Sequence, residues 1–343
     1  MRSLTREEIL SQRLTKNGLT QPFTHLHHLL PAALGIQSQY LHHGLFNIAS
    51  RIDLSNNQDI SNCLSDAILA WGQRQTYHFY DKETWQKMCH FLAEERLWVP
   101  SYFDSENLDL AAASQDLKKR LNQPRLRSQL VQDYGAAWSK LFLWSALFLY
   151  HSRQGQLYHR WLPHDRMVEW QSEALPVPEN LSKELLESYF SFYGPASLAD
   201  AAHFFGIRQH KIAPSDLVDL DVFEYQGKTY YAKDWQDNAK IPEVVLLGKF
   251  DPLLVSYKHK DILIDPNQQS AVWKKAGQIS ALILIRGKMR GTWTMSVNGQ
   301  NISFKVVTNQ KLSQRQQART RRIFRDYARW IHKTIKIISF ELA

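Results

Sequence analysis

A glycine set between two apolar helical stretches, with a glycine-centred strand pair soon after it, restricts this 343-residue chain more than any other feature. Helical spacing predicts a helix over residues 24–34. Gly35 ends it, and Leu41, Leu45, Ile48, Ala49 and Ile52 then recur at helical intervals. Residues 68–80, aromatic and β-branched around Gly72, read as a hairpin. Two helices joined by a short turn and followed by a hairpin make the winged-helix plan. That plan recurs: residues 201–209 repeat the Gly-Ile turn as Gly206-Ile207, and residues 222–231 follow as strand, turn and strand about Gly227. A middle copy is expected where helical text over 127–150 runs into a turn at 154–158, at spacings that are not strictly periodic. The chain opens with a helix over 5–16, capped by the Thr5 and Glu8 pattern of a capping box.

Beyond Ile241 the text changes to strands, at 244–247, 262–264, 279–285, 289–297 and 302–307, separated by Asp265-Pro266, Gly287 and Asn298-Gly299. A closing helix is predicted over 313–338. Ile323, Tyr327, Trp330, Ile331, Ile335 and Ile338 would form its packing stripe, and Arg315, Arg319, Arg322, Arg329 and Lys333 its basic one. The expected fold is α+β and mainly helical, with three tandem winged-helix motifs, a small antiparallel β subdomain and a basic C-terminal helix. Boundaries fall at 1–110, 111–178, 179–240 and 241–343, with linkers at 104–107 and 175–180.

Lys and Arg number 42 against 33 Asp and Glu, a net charge of +9 that favours a polyanionic partner. The excess is concentrated: residues 311–336 hold nine basic residues against Asp326 alone. Cys63 and Cys89 are too few for a disulfide framework and lack zinc-site spacing, which points to a reducing cytoplasm. The first residues have no signal-peptide core, and the longest apolar run, 141–150, is too short to span a bilayer. A phosphate-binding glycine loop, a Ser-His-Asp context, paired carboxylates and a dinucleotide fingerprint are all missing from the sequence.

Gln37-Ser38-Gln39, directly after the Gly35-Ile36 break, is the strongest candidate for chemistry. Two carboxamides are poor acids and bases, yet each offers an acceptor and two donors that could hold a water without changing charge. On a regular helix positions i and i+2 diverge by about 200°, so the two amides could face one ligand only where the backbone is irregular. Alternation along the proposed hairpin would place Arg74, Thr76 and His78 on one strand face, to contact phosphate or support the glutamines. His25, His27, His28, His42 and His43 cluster, but no group of Cys, Asp or Glu completes a tetrahedral metal set, so they read as surface histidines and no metal is expected.

Several blocks in one order resemble a known family. They are Leu34-Gly35-Ile36-Gln37-Ser38-Gln39 with Arg51 downstream, Arg74-Gln75-Thr76-Tyr77-His78, residues 194–200, residues 246–257 and residues 286–293. Together they are similar to the bacterial winged-helix DNA glycosylases of the AlkZ and YcaQ type, which excise alkylated bases and unhook interstrand crosslinks. The resemblance places this chain on the family's Gln-x-Gln branch. Ser38 stands where that family has an apolar residue, and a small polar side chain there would loosen the packing that aims the amides. Gln75 stands where glycine is usual, and Lys258-His259-Lys260 where an Asp-Arg pair is usual.

The resemblance implies hydrolysis of an N-glycosidic bond by Gln37 and Gln39, without cofactor or metal. It implies supporting or DNA-contacting roles for Arg51, Arg74, Thr76, His78, Asp251, Tyr257, Lys258, Lys260, Arg286, Lys288, Arg290, Arg319 and Arg322. The expected partner is double-stranded DNA carrying cationic alkylpurines, N7-alkylguanine or N3-alkyladenine, bound by a monomer of the cytoplasm and nucleoid. A non-catalytic winged-helix DNA binder, either a regulator or a protein that sequesters drug adducts, remains the alternative. Whether the damaged base is flipped stays open.

Overall fold

The computed structural model describes residues 2–171, 173 and 176–343, so Leu175 of the expected linker over 175–180 lies outside the described residues. Thr5 closes the capping box on Glu8 and starts helix α1 (Arg6–Lys16). Helix α2 (Leu26–Ala32) stops before Gly35, which adopts φ +90°. A Cβ there would lie 2.3 Å from the Tyr80 ring, so both backbone sign and space require glycine. Helix α3 (Leu41–Ala49) follows.

The strands, in chain order, are β1 (Arg2–Ser3), β2 (Ile36–Gln37), β3 (Ile68–Trp71), β4 (Tyr77–Tyr80), β5 (Arg125–Leu126), β6 (Leu157–Trp161), β7 (Arg166–Trp170), β8 (Asp221–Tyr225), β9 (Lys228–Ala232), β10 (Val244–Leu247), β11 (Ala281–Ile285), β12 (Lys288–Asn298), β13 (Asn301–Thr308) and β14 (Thr334–Leu342). They form three sheets. The hairpins β3–β4 and β6–β7 join edge to edge in a six-stranded sheet ordered β2-β4-β3-β6-β7-β5. The hairpin β8–β9 instead recruits the N-terminal β1 in parallel, so the chain's start is sewn to a segment more than 200 residues away. Each hairpin is preceded by helices, at Leu26–Ala32 and Leu41–Ala49, at Arg127–Tyr134 and Ala146–Arg153, and at Leu181–Tyr193 and Leu198–Phe205. The fold is α+β, with more residues in helices than in strands.

Three expectations change. Residues 262–264 form a turn rather than a strand, because Ile262 and Ile264 bury their side chains from a segment tied to Lys260 O by Ile264 N at 2.9 Å. The last helix is shorter than predicted and spans Gln314–Trp330. His332 at φ +53° breaks it, and Ile335 and Ile338 lie in β14. The terminal sheet, ordered β10-β11-β12-β13-β14, is therefore mixed instead of antiparallel: the intervening helix carries the chain back to the same end, so β14 pairs with β13 in parallel. Among the described residues, no helix is long and apolar enough to cross a membrane.

Candidate active site

Strand β2 carries the first glutamine. Its antiparallel register sets Gln37 opposite His78 and Ile36 opposite Phe79, so Gln37 and His78 project from one face while Ile36 and Phe79 enter the core. The chain stays extended past Gln37, with Ser38 N donating to Tyr77 O at 2.7 Å. Extended backbone brings positions i and i+2 to one side, and the two carboxamides meet: Gln37 Nε2 donates to Gln39 Oε1 at 2.9 Å. Gln37 is only 5% exposed, whereas Gln39 is exposed.

Ser38 points the opposite way and is buried, its hydroxyl donating to Ile36 O at 2.8 Å. It does not loosen the site. Gly44 of α3 rests directly on it, so close that an added Cβ would lie 2.2 Å from Ser38 Oγ. Tight backbone approach fills the space expected of an apolar side chain.

Arg74, Thr76 and His78 do not share a strand face. Residues 73–75 form a one-turn 3₁₀ segment in which Arg74 (φ +54°) and Gln75 (φ +56°) are left-handed, and only His78 lies in β4. Thr76 turns its hydroxyl onto Gln73 O at 3.1 Å. The left-handed backbone at Gln75 gives a physical reason for glycine at that position; here the side chain donates to Arg96 O at 3.2 Å instead. Arg74 spans two acceptors, Nη1 donating to Val255 O at 2.7 Å and Nη2 to Gln37 Oε1 at 3.1 Å. Burial lowers its pKa to about 10, which leaves it cationic at neutral pH. His78 is driven down to about 3 by burial, with the Arg74 charge adding to it. A backbone carbonyl only accepts, so the 2.8 Å contact with Thr76 O assigns the proton to Nδ1 and leaves Nε2 an acceptor.

A second cluster braces the site from α3. His43, Asn47 and Arg51 follow at intervals of four on one face and grip the loop after β10. His43 Nδ1 accepts from Lys249 N at 3.1 Å, Asn47 Oδ1 accepts from Gly248 N at 2.9 Å, and Arg51 pairs with both oxygens of Asp251 at 2.9 and 2.8 Å. Arg51 and Asp251 are fully buried. His43 is thus no surface histidine: burial, then the Lys249 charge, pushes it down to about 3. The gripped loop sets Phe250 (φ +54°) against Tyr40, rings 5.5 Å apart and nearly parallel, with the Lys249 ammonium 4.8 Å from the Tyr40 centroid. Tyr40 follows Gln39 directly in the chain. Sequence reasoning missed Tyr40, His43, Asn47 and Lys249. The four-residue spacing ending at Arg51 was the available signal.

Tyr257 is buried, its hydroxyl donating to Tyr193 O at 2.9 Å and its ring lying 3.7 Å beneath the Arg13 guanidinium. Buried Asp200 accepts from the backbone of Lys258 and His259, both at 2.9 Å, and fixes the loop that carries Lys258 and Lys260. Lys258 is exposed, and the Lys260 ammonium sits 4.3 Å from the Trp273 centroid. Burial, followed by the charges of Arg74 and Lys260, lowers His203 to about 4.

The other basic residues lie elsewhere. Arg286 lines a recess with Arg315, Arg319, Glu7 and Glu243, where Glu243 pairs with Arg315 at 3.1 Å and Arg319 at 3.4 Å. Lys288 is exposed and Arg290 half-buried on β12. Arg322 is exposed beside Asp326, at 3.7 Å. None of the hydrogen bonds or ion pairs of the last helix among the described residues reaches the glutamines; Tyr327 instead donates to His42 O at 2.7 Å and docks that helix on α3.

A family model for AlkZ-like DNA glycosylases matches residues 30–330, nearly the whole chain. The chain belongs to the AlkZ-like DNA glycosylase family. It is therefore an enzyme of the DNA glycosylase class, acting on DNA. An interstrand DNA cross-link repair glycosylase of Streptomyces sahachiroi is 21% identical over 298 residues, covering 76% of this chain and 79% of that protein. The solved structure of the Streptomyces sahachiroi DNA glycosylase AlkZ superimposes with a TM-score of 0.75 at 18% identity, covering 99% of this chain and all of the other, which shows a shared fold.

Proposed function

We propose that this glycosylase is monofunctional and releases cationic alkylpurines, N7-alkylguanine and N3-alkyladenine, from duplex DNA, and that it unhooks interstrand crosslinks joined through such cationic bases. The observation that carries the reading is the hydrogen-bonded pair of neutral carboxamides, Gln37 buried and Gln39 exposed, with Arg74 as its charged partner. No carboxylate hydrogen-bonds to the pair among the described residues, and His78, protonated only near pH 3, offers no acid at neutral pH. Such a site cannot protonate a departing neutral base. A base already carrying positive charge needs no proton, and its barrier lies in organising water at an oxocarbenium-like sugar.

Each glutamine oxygen accepts one hydrogen bond from the protein and keeps a second lone pair. In the proposed step a water donates its two protons to Gln37 Oε1 and Gln39 Oε1, and its oxygen bonds to C1′ of the deoxyribose. The C1′–N bond breaks with its electron pair going to the base, which leaves uncharged, and the surplus water proton passes to solvent. The carbonyl dipoles face the positive charge that develops on the sugar.

Three winged-helix units, 1–110, 111–178 and 179–240, and the unit 241–343 would hold the duplex, as a monomer, against Lys258, Lys260, the Arg286-Lys288-Arg290 hairpin and the exposed side of the last helix. The repeated order of helices and hairpin supports this reading. Single-turnover release of N7-methylguanine tests the chemistry: Gln37→Ala and Gln39→Ala should each lose about 10²–10³-fold in rate while duplex binding persists. Unchanged rates would reject it.

A further inference from the structure

An amide side chain has nearly the same shape either way round, so a pair of glutamines does not by itself decide which atoms face the reacting centre. We infer that Arg74 is a positioning residue that fixes the direction of both carboxamides, so that each presents an oxygen rather than an NH2 group to the attacking water. This inference rests on the glycosylase reading above and adds the residue that makes the pair directional.

The chain of donors runs one way. Arg74 has only N–H groups to offer, so Gln37 must turn Oε1 toward it. That leaves Gln37 Nε2 to donate, and Gln39 must answer with Oε1. If either amide flipped, two donors or two acceptors would abut. An NH2 group would also face the water, engaging the lone pair needed for attack and turning a positive dipole toward a positive sugar.

Arg74 is held for this task from three sides. Its other guanidinium nitrogen is anchored on Val255 O at 2.7 Å, from a segment 181 residues away. Its Nε is buried with no partner among the described residues, so that edge is closed to a phosphate. Its stem passes Gly206 at the end of the helix Leu198–Phe205, where an added Cβ would lie 3.0 Å from Arg74 Cγ. A lysine ammonium could supply the charge, but its single nitrogen lacks the planar fork that serves two fixed acceptors in separate directions.

The test is a double-mutant cycle on the full-length protein, using duplex DNA that contains N7-methylguanine and reading single-turnover rate and Kd separately. Arg74→Ala should lower the rate about 10²-fold with Kd nearly unchanged, and Arg74→Lys should fail to restore it. On a Gln37→Ala background, Arg74→Ala should cost nothing more. Millimolar guanidinium should partly rescue Arg74→Ala and leave Gln37→Ala unaffected, an outcome a misfolded variant would not give. Weaker Kd at an unchanged rate would make Arg74 a phosphate contact and overturn the inference, as would losses that multiply in the cycle. If Gln37→Ala keeps full activity, the water-holding reading fails; if Gln37→Ala is inactive while Arg74→Ala is normal, only the present inference fails.

Discussion

Arg51 and Arg74 are each hydrogen-bonded to a side chain and to a backbone carbonyl, yet their surroundings differ in kind. Arg51 meets a carboxylate at two points and is fully buried, so two charges cancel inside the core. Among the described residues Arg74 meets only neutral oxygens, from Gln37 and Val255, and it stays half-buried without a carboxylate partner. The first arrangement builds structure. The second leaves a charge beside neutral dipoles, which is what the proposed reaction without acid or base catalysis would use.

That contrast can be broken at its structural end first. Arg51→Ala or Asp251→Ala should destabilise the protein by about 3–5 kcal/mol, because either leaves a buried charge without its partner. Denaturant unfolding of the two variants measures this, and a small change would show that the pair is dispensable. Arg74→Ala should cost far less stability than either while losing more activity, so the two arginines exchange rank between the assays.

Acid sharpens the comparison. Each arginine has a neutral histidine in its neighbourhood, His43 on the gripping face of α3 and His78 beside Gln37, and both are held near pKa 3 against an ordinary value of 6.5. Because the folded state binds these protons more weakly than the unfolded chain, their effect is negligible above about pH 6.5. Stability is then lost progressively as pH falls from there toward 3. Thermal unfolding should therefore move to lower temperature between neutral pH and about pH 5. His43 uses its bare Nδ1 to accept from Lys249 N, so a proton breaks that bond, whereas the bond from His78 Nδ1 survives protonation. Because the two are held equally low, replacing either His43 or His78 by Gln should flatten the acid sensitivity by a similar amount.

The smallest expected effect concerns charge outside both clusters. Neutralising Arg286 and Lys288 together should reduce the slope of log affinity against log salt by about 2, if both touch phosphate, and leave the single-turnover rate of bound DNA unchanged. An unaltered slope would place the duplex on another face.

Local features were legible in the sequence. The Thr5 and Glu8 capping box, the Gly35 break, the Gly72 hairpin and the Gln37 and Gln39 pair all depend on neighbours a few residues apart, where periodicity and side-chain chemistry act directly. What escaped was set at long range. Asp251 reaches Arg51 across 200 residues and Val255 reaches Arg74 across 181, and no spacing rule registers such a meeting. Alternation failed at Arg74 and Thr76 because two left-handed residues curl the backbone before β4 begins. The last helix was overextended because Ile335 and Ile338 keep a helical interval while also belonging to an alternating strand, and the partner that decides between them, β13, lies elsewhere in the chain.

Residues 248–255 clasp α3 and steady Arg74, which gives the order of synthesis a meaning. A ribosome that has delivered only the first two hundred residues has made both glutamines and Arg74, but neither the Val255 carbonyl that anchors Arg74 nor the loop that α3 grips. On the proposed mechanism, the nascent chain gains that support only once residues 248–255 have been translated and have closed against its beginning.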